Sequence, residues 1–136
     1  MRASLCVSLV LALFACKDPN SFQPFDPTMP DPPAPPGLVY PANGWVSDNW
    51  GYPQDVDLGW QELPEAQFYQ IEVYRDSLLP SGHLTYANRR VTQTSLTATM
   101  PAYGRYYWRV RAASRNWNDY TDWSQPSRFA LPNPAR

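Results

Sequence analysis

One stretch decides what this chain can fold into. From residue 106 to 112 the large apolar residues Tyr106, Trp108, Val110 and Ala112 alternate with Tyr107, Arg109 and Arg111. Successive side chains of an extended chain point to opposite faces, so a period of two gives a strand with one dry and one polar face. A dry face carrying an indole and a phenol needs an apolar layer against it, which a single sheet cannot supply. The same alternation recurs: Val56, Leu58 and Trp60 are spaced by Asp57 and Gly59, and Tyr69, Ile71 and Val73 by Gln70 and Glu72. Leu96 with Ala98, and Phe129 with Leu131, supply two further segments. Turn residues punctuate these runs, and none keeps a helical period over about twelve residues. The expected fold is all-β: a two-sheet antiparallel sandwich of about seven strands over residues 37–132, with 133–136 a short tail.

Two regions fit this pattern less closely. Asn43 to Pro53 is a long, aromatic connection between the first and second strands, and Gly82 to Arg90 reads equally as an edge strand or a loop.

The order of these features resembles the fibronectin type III pattern within the immunoglobulin-like sandwiches. It has a proline-rich start, Trp60 ending the second strand, Tyr69 early in the third, Leu96 before a turn, then Tyr106-x-Trp108-x-Val110-x-Ala112 and a late Trp123-Ser124. The resemblance covers residues 37 to 131. It implies a core of Trp60, Tyr69, Ile71, Val73, Leu96, Trp108, Val110 and Ala112. It also implies that Tyr106 is a corner tyrosine, its hydroxyl bonded back to nearby main chain. Arg109 and Arg111 with Trp123 resemble the arginine–tryptophan arrangement of cytokine-receptor fibronectin domains. Alternate guanidiniums there grip an indole, which reads as a recognition surface or, the preferred reading, as a structural brace.

Ahead of the domain, Arg2 precedes an apolar run from Leu5 to Ala15, the pattern of an export signal and too short for a bilayer span, which needs about twenty residues. It ends in Leu13-Phe14-Ala15-Cys16, which resembles the lipobox of bacterial lipoproteins. That resemblance implies a signal peptide over 1–15 and lipidation of Cys16, with diacylglycerol on sulfur and acyl (palmitate-type) chains. Lys17 in the following position favours the outer membrane over the inner. Residues 16–36 then form the expected tether. Eight prolines between Pro19 and Pro36 preclude helix and sheet and favour a polyproline II spacer, about 55 Å long if extended.

Composition narrows the chemistry. A formal net charge of -1 gives no nucleic-acid footprint. Cys6 lies in the signal and Cys16 at its end, so the domain has no disulfide and no thiolate metal site, and with His83 its one histidine, histidine triads and multi-histidine zinc sites are excluded. Asp55 with Asp57, and Glu62 with Glu65, are candidate acid and base pairs only if they line a cleft; the preferred reading is surface charge. Asp119 and Asp122 with Asn116 or Asn118 have oxygen ligands suited to calcium but no recognised loop spacing. His83 reads as a surface residue. No cofactor, no metal and no catalytic residue is expected.

The candidate binding residues are aromatic. Trp45, Trp50 and Tyr52 form one loop, and Trp117 and Tyr120 another, at the opposite end in the family's topology. Each loop either meets a partner or folds back to cap the sandwich. The leading expectation is a monomeric, lipid-anchored binding, adhesion or scaffold module of the bacterial cell envelope, without enzymatic activity. Its partner would be another envelope protein or a glycan. The alternatives are a glycan or cell-wall binding module using the tryptophan loops, and an accessory subunit of an envelope complex.

Overall fold

The computed structural model describes residues 21–75 and 81–135; the expected export signal and the expected lipidation site, Cys16, lie outside the described residues. Eight strands follow in order: β1 (Leu38–Tyr40), β2 (Trp45–Val46), β3 (Gln54–Trp60), β4 (Phe68–Tyr74), β5 (Leu84–Val91), β6 (Ser95–Met100), β7 (Gly104–Ala113) and β8 (Ser127–Leu131). They form two sheets, β1-β3-β6 and β2-β8-β7-β4-β5. This is the expected two-sheet β-sandwich.

The alternating residues meet between the sheets. Val56 and Leu58 on β3 and Ala98 and Met100 on β6 face Ile71 and Val73 on β4, and Tyr106, Trp108 and Val110 on β7. Trp60 sits edge-on to Tyr69, with ring centroids 5.5 Å apart, and 6.5 Å from Trp108. Burying each large aliphatic or aromatic side chain contributes roughly 1.5–3 kcal/mol, so this layer dominates stability. The implied core is buried throughout except Leu96, which is half-buried and packs against its margin. The Tyr106 hydroxyl donates to the Ala102 carbonyl at 2.6 Å, closing the corner, and burial pushes its pKa up.

The ambiguous stretches resolve. Residues 84–91 form edge strand β5, paired with β4. The long aromatic connection contains β2, which pairs parallel to β8 through Trp45–Phe129 and Val46–Ala130. The chain therefore crosses between sheets after β1, which gives eight strands and one parallel pair instead of about seven all antiparallel. At the crossing the Tyr40 ring lies against Gly59, where an added Cβ would come within 2.3 Å of it. A side chain there would force the Tyr40 ring aside.

The proline-rich segment departs from expectation. Its described part does not stand clear of the domain. Phe22 packs edge-on against Tyr120 at 4.6 Å and Phe68 at 6.1 Å. Farther along, the Asp26 amide donates to the Asn118 carbonyl and the Asn118 amide to the Pro30 carbonyl, both at 2.8 Å. Prolines cannot join a ladder, yet their carbonyls still accept. The segment thus wraps as a strap from the outer face of the larger sheet, around the β7–β8 loop, to β1.

Candidate functional site

Two surfaces hold most of the arginines and aromatic residues singled out from sequence, and they lie at opposite ends of β7. The first is the outer face of β7 and β4. Arg109 stands opposite Glu72 and Arg111 opposite Gln70 in the strand register. Arg109 donates to Glu72 Oε1 at 2.8 Å from Nη2 and 3.1 Å from Nε, and Arg111 Nε donates to Gln70 Oε1 at 2.9 Å. Beyond Trp108, β7 loses β8 as a neighbour, and residues 121–124 take its place. The Thr121 and Ser124 amides donate to the Ala112 and Val110 carbonyls, and their hydroxyls accept from the Ala112 and Val110 amides. This back-and-forth bonding holds Trp123 over the outer face.

The indole lies between both guanidiniums, 4.2 Å from Arg109 and 4.5 Å from Arg111. Stacking continues past the three expected residues. Arg109 lies 5.6 Å from the Tyr74 ring, Arg111 3.9 Å from Tyr120, and Arg90 4.5 Å from Phe68. Phe22 fills the gap between Tyr120 and Phe68, so the strap completes the row. Tyr120, expected as a binding residue, is half-buried inside this stack.

Glu72 was read from sequence as an outward polar residue, but its side chain is only 7% exposed. Burial alone would raise its carboxyl. Hydrogen bonds from Tyr74 and Arg109, with the charges of Arg109 and Arg89, outweigh that and hold the pKa below its ordinary value. The Tyr74 hydroxyl is pushed up by burial and by donating to this carboxylate. Burial draws the Arg111 guanidinium down, although arginine remains charged. The arrangement fixes strands and a loop to one another, its polar atoms facing each other.

The second surface is the β2–β3 segment. Trp45 is 38% exposed, Val46 60% and Trp50 50%. Asn49 caps the loop by accepting from the Gly51 amide, and Gln54 Nε2 donates to the Asn49 carbonyl, while Ser47 and Gln54 bond side chain to side chain at 2.8 Å. The backbone is thereby fixed while the rings point outward. Tyr52 is not part of that display: it packs against the core and its hydroxyl donates to the Pro132 carbonyl.

Trp117 requires a correction. Of the two courses open to its loop, meeting a partner or capping the sandwich, it takes the second: it is 5% exposed and belongs to the core, so it is no binding residue. A tight turn, with its amide donating to the Ser114 carbonyl at 3.1 Å, folds the indole inward to close the end of the sandwich. Of the candidate binding residues, Trp45 and Trp50 alone are displayed.

The other candidates are exposed, except Asn118 and Asp119, which are half-buried. Asp55 and Asp57 are exposed on β3 and accept from Thr99 and Thr97 on β6, each at 2.7 Å. Glu65 accepts from Asn116, Asn118 donates to Asp31, and Asp119 accepts from the Tyr120 amide. Among the described residues no three metal-ligating side chains of the histidine, cysteine and carboxylate type come together. His83 is exposed at the end of a short 3-10 turn, Ser81–His83.

No family model matches the chain. No curated protein matches it either. Among solved structures it is similar to an Fn3-like protein from Clostridium thermocellum, at 27% identity, covering 74% of this chain and 94% of that one, with a TM-score of 0.49. It is also similar to the fn3 domain of the human collagen alpha-1(XX) chain, at 16% identity, covering 78% of this chain and 92% of that one, with a TM-score of 0.48.

Proposed function

We propose that this protein is a lipid-anchored module of the bacterial cell envelope, outer membrane in preference to inner, that binds another envelope protein through Trp45, Val46 and Trp50 and catalyses nothing. The observation that carries the reading is the contrast within one short segment. Ser47 and Gln54 are buried and bonded to each other, while two indoles and a valine beside them stand in solvent. Large aromatics held on a fixed backbone are the anchors that protein interfaces favour. The lipobox supplies the membrane attachment: acyl chains on Cys16 contribute roughly 0.8 kcal/mol per buried methylene. The same reading covers a scaffold or accessory subunit, in which the partner is permanent.

A flat partner surface suits this end better than an extended polysaccharide. With Trp117 in the core, no row of indoles continues from Trp45 and Trp50 across the molecule. The test places a photo-crosslinking residue at 45 or 50, and at 57 as control, in the bacterium that encodes the protein. One discrete adduct from positions 45 and 50, absent at 57, is the expected result; equal labelling at all three positions overturns the reading. Cys16→Ser, followed by acyl labelling, tests the anchor separately.

A further inference from the structure

The end of the domain opposite Trp50 carries its own exposed apolar group. Phe25 is 82% exposed and sits at φ 60, a backbone conformation that bulky residues rarely adopt. Such a conformation persists only where surrounding structure imposes it. Here the imposition is visible: Phe22 is inserted between Phe68 and Tyr120 on one side, and the Asp26 amide is bonded to Asn118 on the other. Asp26 also accepts from the Thr28 amide and hydroxyl and from the Met29 amide, making a tight turn that leaves Met29 exposed beside it. The strap thus holds an aromatic ring and a thioether away from the fold.

We propose that this strap tip rests in the headgroup region of the membrane to which Cys16 is anchored, so that the Trp45–Trp50 end points away from the bilayer. The inference rests on the anchoring part of the proposed function. Chain length supplies the occupant. Five residue steps separate Cys16 from Ser21, and a fully extended chain covers at most ~18 Å over that distance. Because the strap is bound to the domain from Phe22 onward, the remaining prolines add no reach. The β7–β8 loop end is therefore held close to the lipid. β7 then spans ten residues, about 34 Å at the usual rise, toward the end that bears Trp50. An aromatic ring with an exposed apolar edge suits the bilayer interface.

The test uses the mature lipidated protein in vesicles of phosphatidylethanolamine and phosphatidylglycerol. With Cys16 acylated, a cysteine introduced as Phe25→Cys, Trp50→Cys or Asp57→Cys is the one thiol open to a nitroxide label. Collisions with oxygen, which concentrates in lipid, are compared with collisions with a water-soluble nickel chelate. A several-fold higher oxygen-to-nickel ratio at position 25 than at 50 and 57 is expected. Equal ratios on protein whose mass shows acylated Cys16 overturn the orientation and leave the anchor standing. Protein lacking the acyl mass overturns the anchor, and the orientation with it.

Discussion

On the three-stranded sheet, Asp55 and Asp57 stand in water with Thr99 and Thr97 as their cross-strand partners. On the five-stranded sheet, Gln70 and Glu72 occupy the corresponding outward positions, and both are buried. Both faces arise from one alternation of apolar and polar residues. The difference lies in what comes next along the chain: among the described residues nothing covers β3 and β6, whereas Trp123 from the β7–β8 loop and Phe22 from the strap roof β4 and β7. A polar position in a period-two pattern therefore identifies the outer face of a sheet without saying whether that face is wet.

This contrast is breakable. The largest effect is expected at the keystone of the roofed face: Trp123→Ala removes an indole held between two guanidiniums and destabilises the fold by about 3 kcal/mol in urea unfolding. A loss below about 1 kcal/mol would make the stack incidental. Glu72→Gln removes the charge that Arg109 and Arg89 face, and costs about 2 kcal/mol at neutral pH.

The pH dependence of Glu72 has a definite sign. Its folded pKa is depressed, so its contribution is fully present above the unfolded value of about 4.3 and is lost as pH falls through the folded value. Wild type should lose stability relative to Glu72→Gln below about pH 4, and the two curves should run parallel at neutral pH. A constant gap across the acid range would contradict the ion pair.

Phe22→Ala tests whether the strap belongs to the roof, with an expected loss of about 1.5 kcal/mol from two aromatic edge contacts and lost burial. The smallest effect should come from the open sheet: Asp57→Ala changes stability by no more than about 0.5 kcal/mol, because its partner Thr97 is already in water. If Asp57→Ala costs as much as Glu72→Gln, the two faces are not different in kind.

The sandwich was legible because burial between two sheets writes itself as alternation, and the residues of β3, β4, β7 and β8 carry it without interruption. β2 was not, since two paired residues inside an aromatic loop have no period to display. β5 reads ambiguously because Leu84–Val91, at a sheet edge, mixes polar and apolar residues on both faces. The arginine–tryptophan part of the roof was visible as Arg109, Arg111 and Trp123. Its extension through Tyr120 and Phe22 was not, because Phe22 lies in a proline-rich segment whose composition signals a free spacer. The attachment rests on one ring and a few amides, Asp26 and Asn118 among them, which carry no local pattern. Trp117 and Trp50 show the same limit: each is a tryptophan in a loop, and the turn around it decides which one is buried.

The account depends most on residues 22–31 being folded onto the domain, and amide hydrogen exchange on the intact protein tests this at single positions. The Asp26 and Asn118 amides, bonded to the Asn118 and Pro30 carbonyls, should be protected to a degree approaching the amides of β8. Exchange of both at free-peptide rates, with β8 still protected, would contradict it and return the segment to an open spacer.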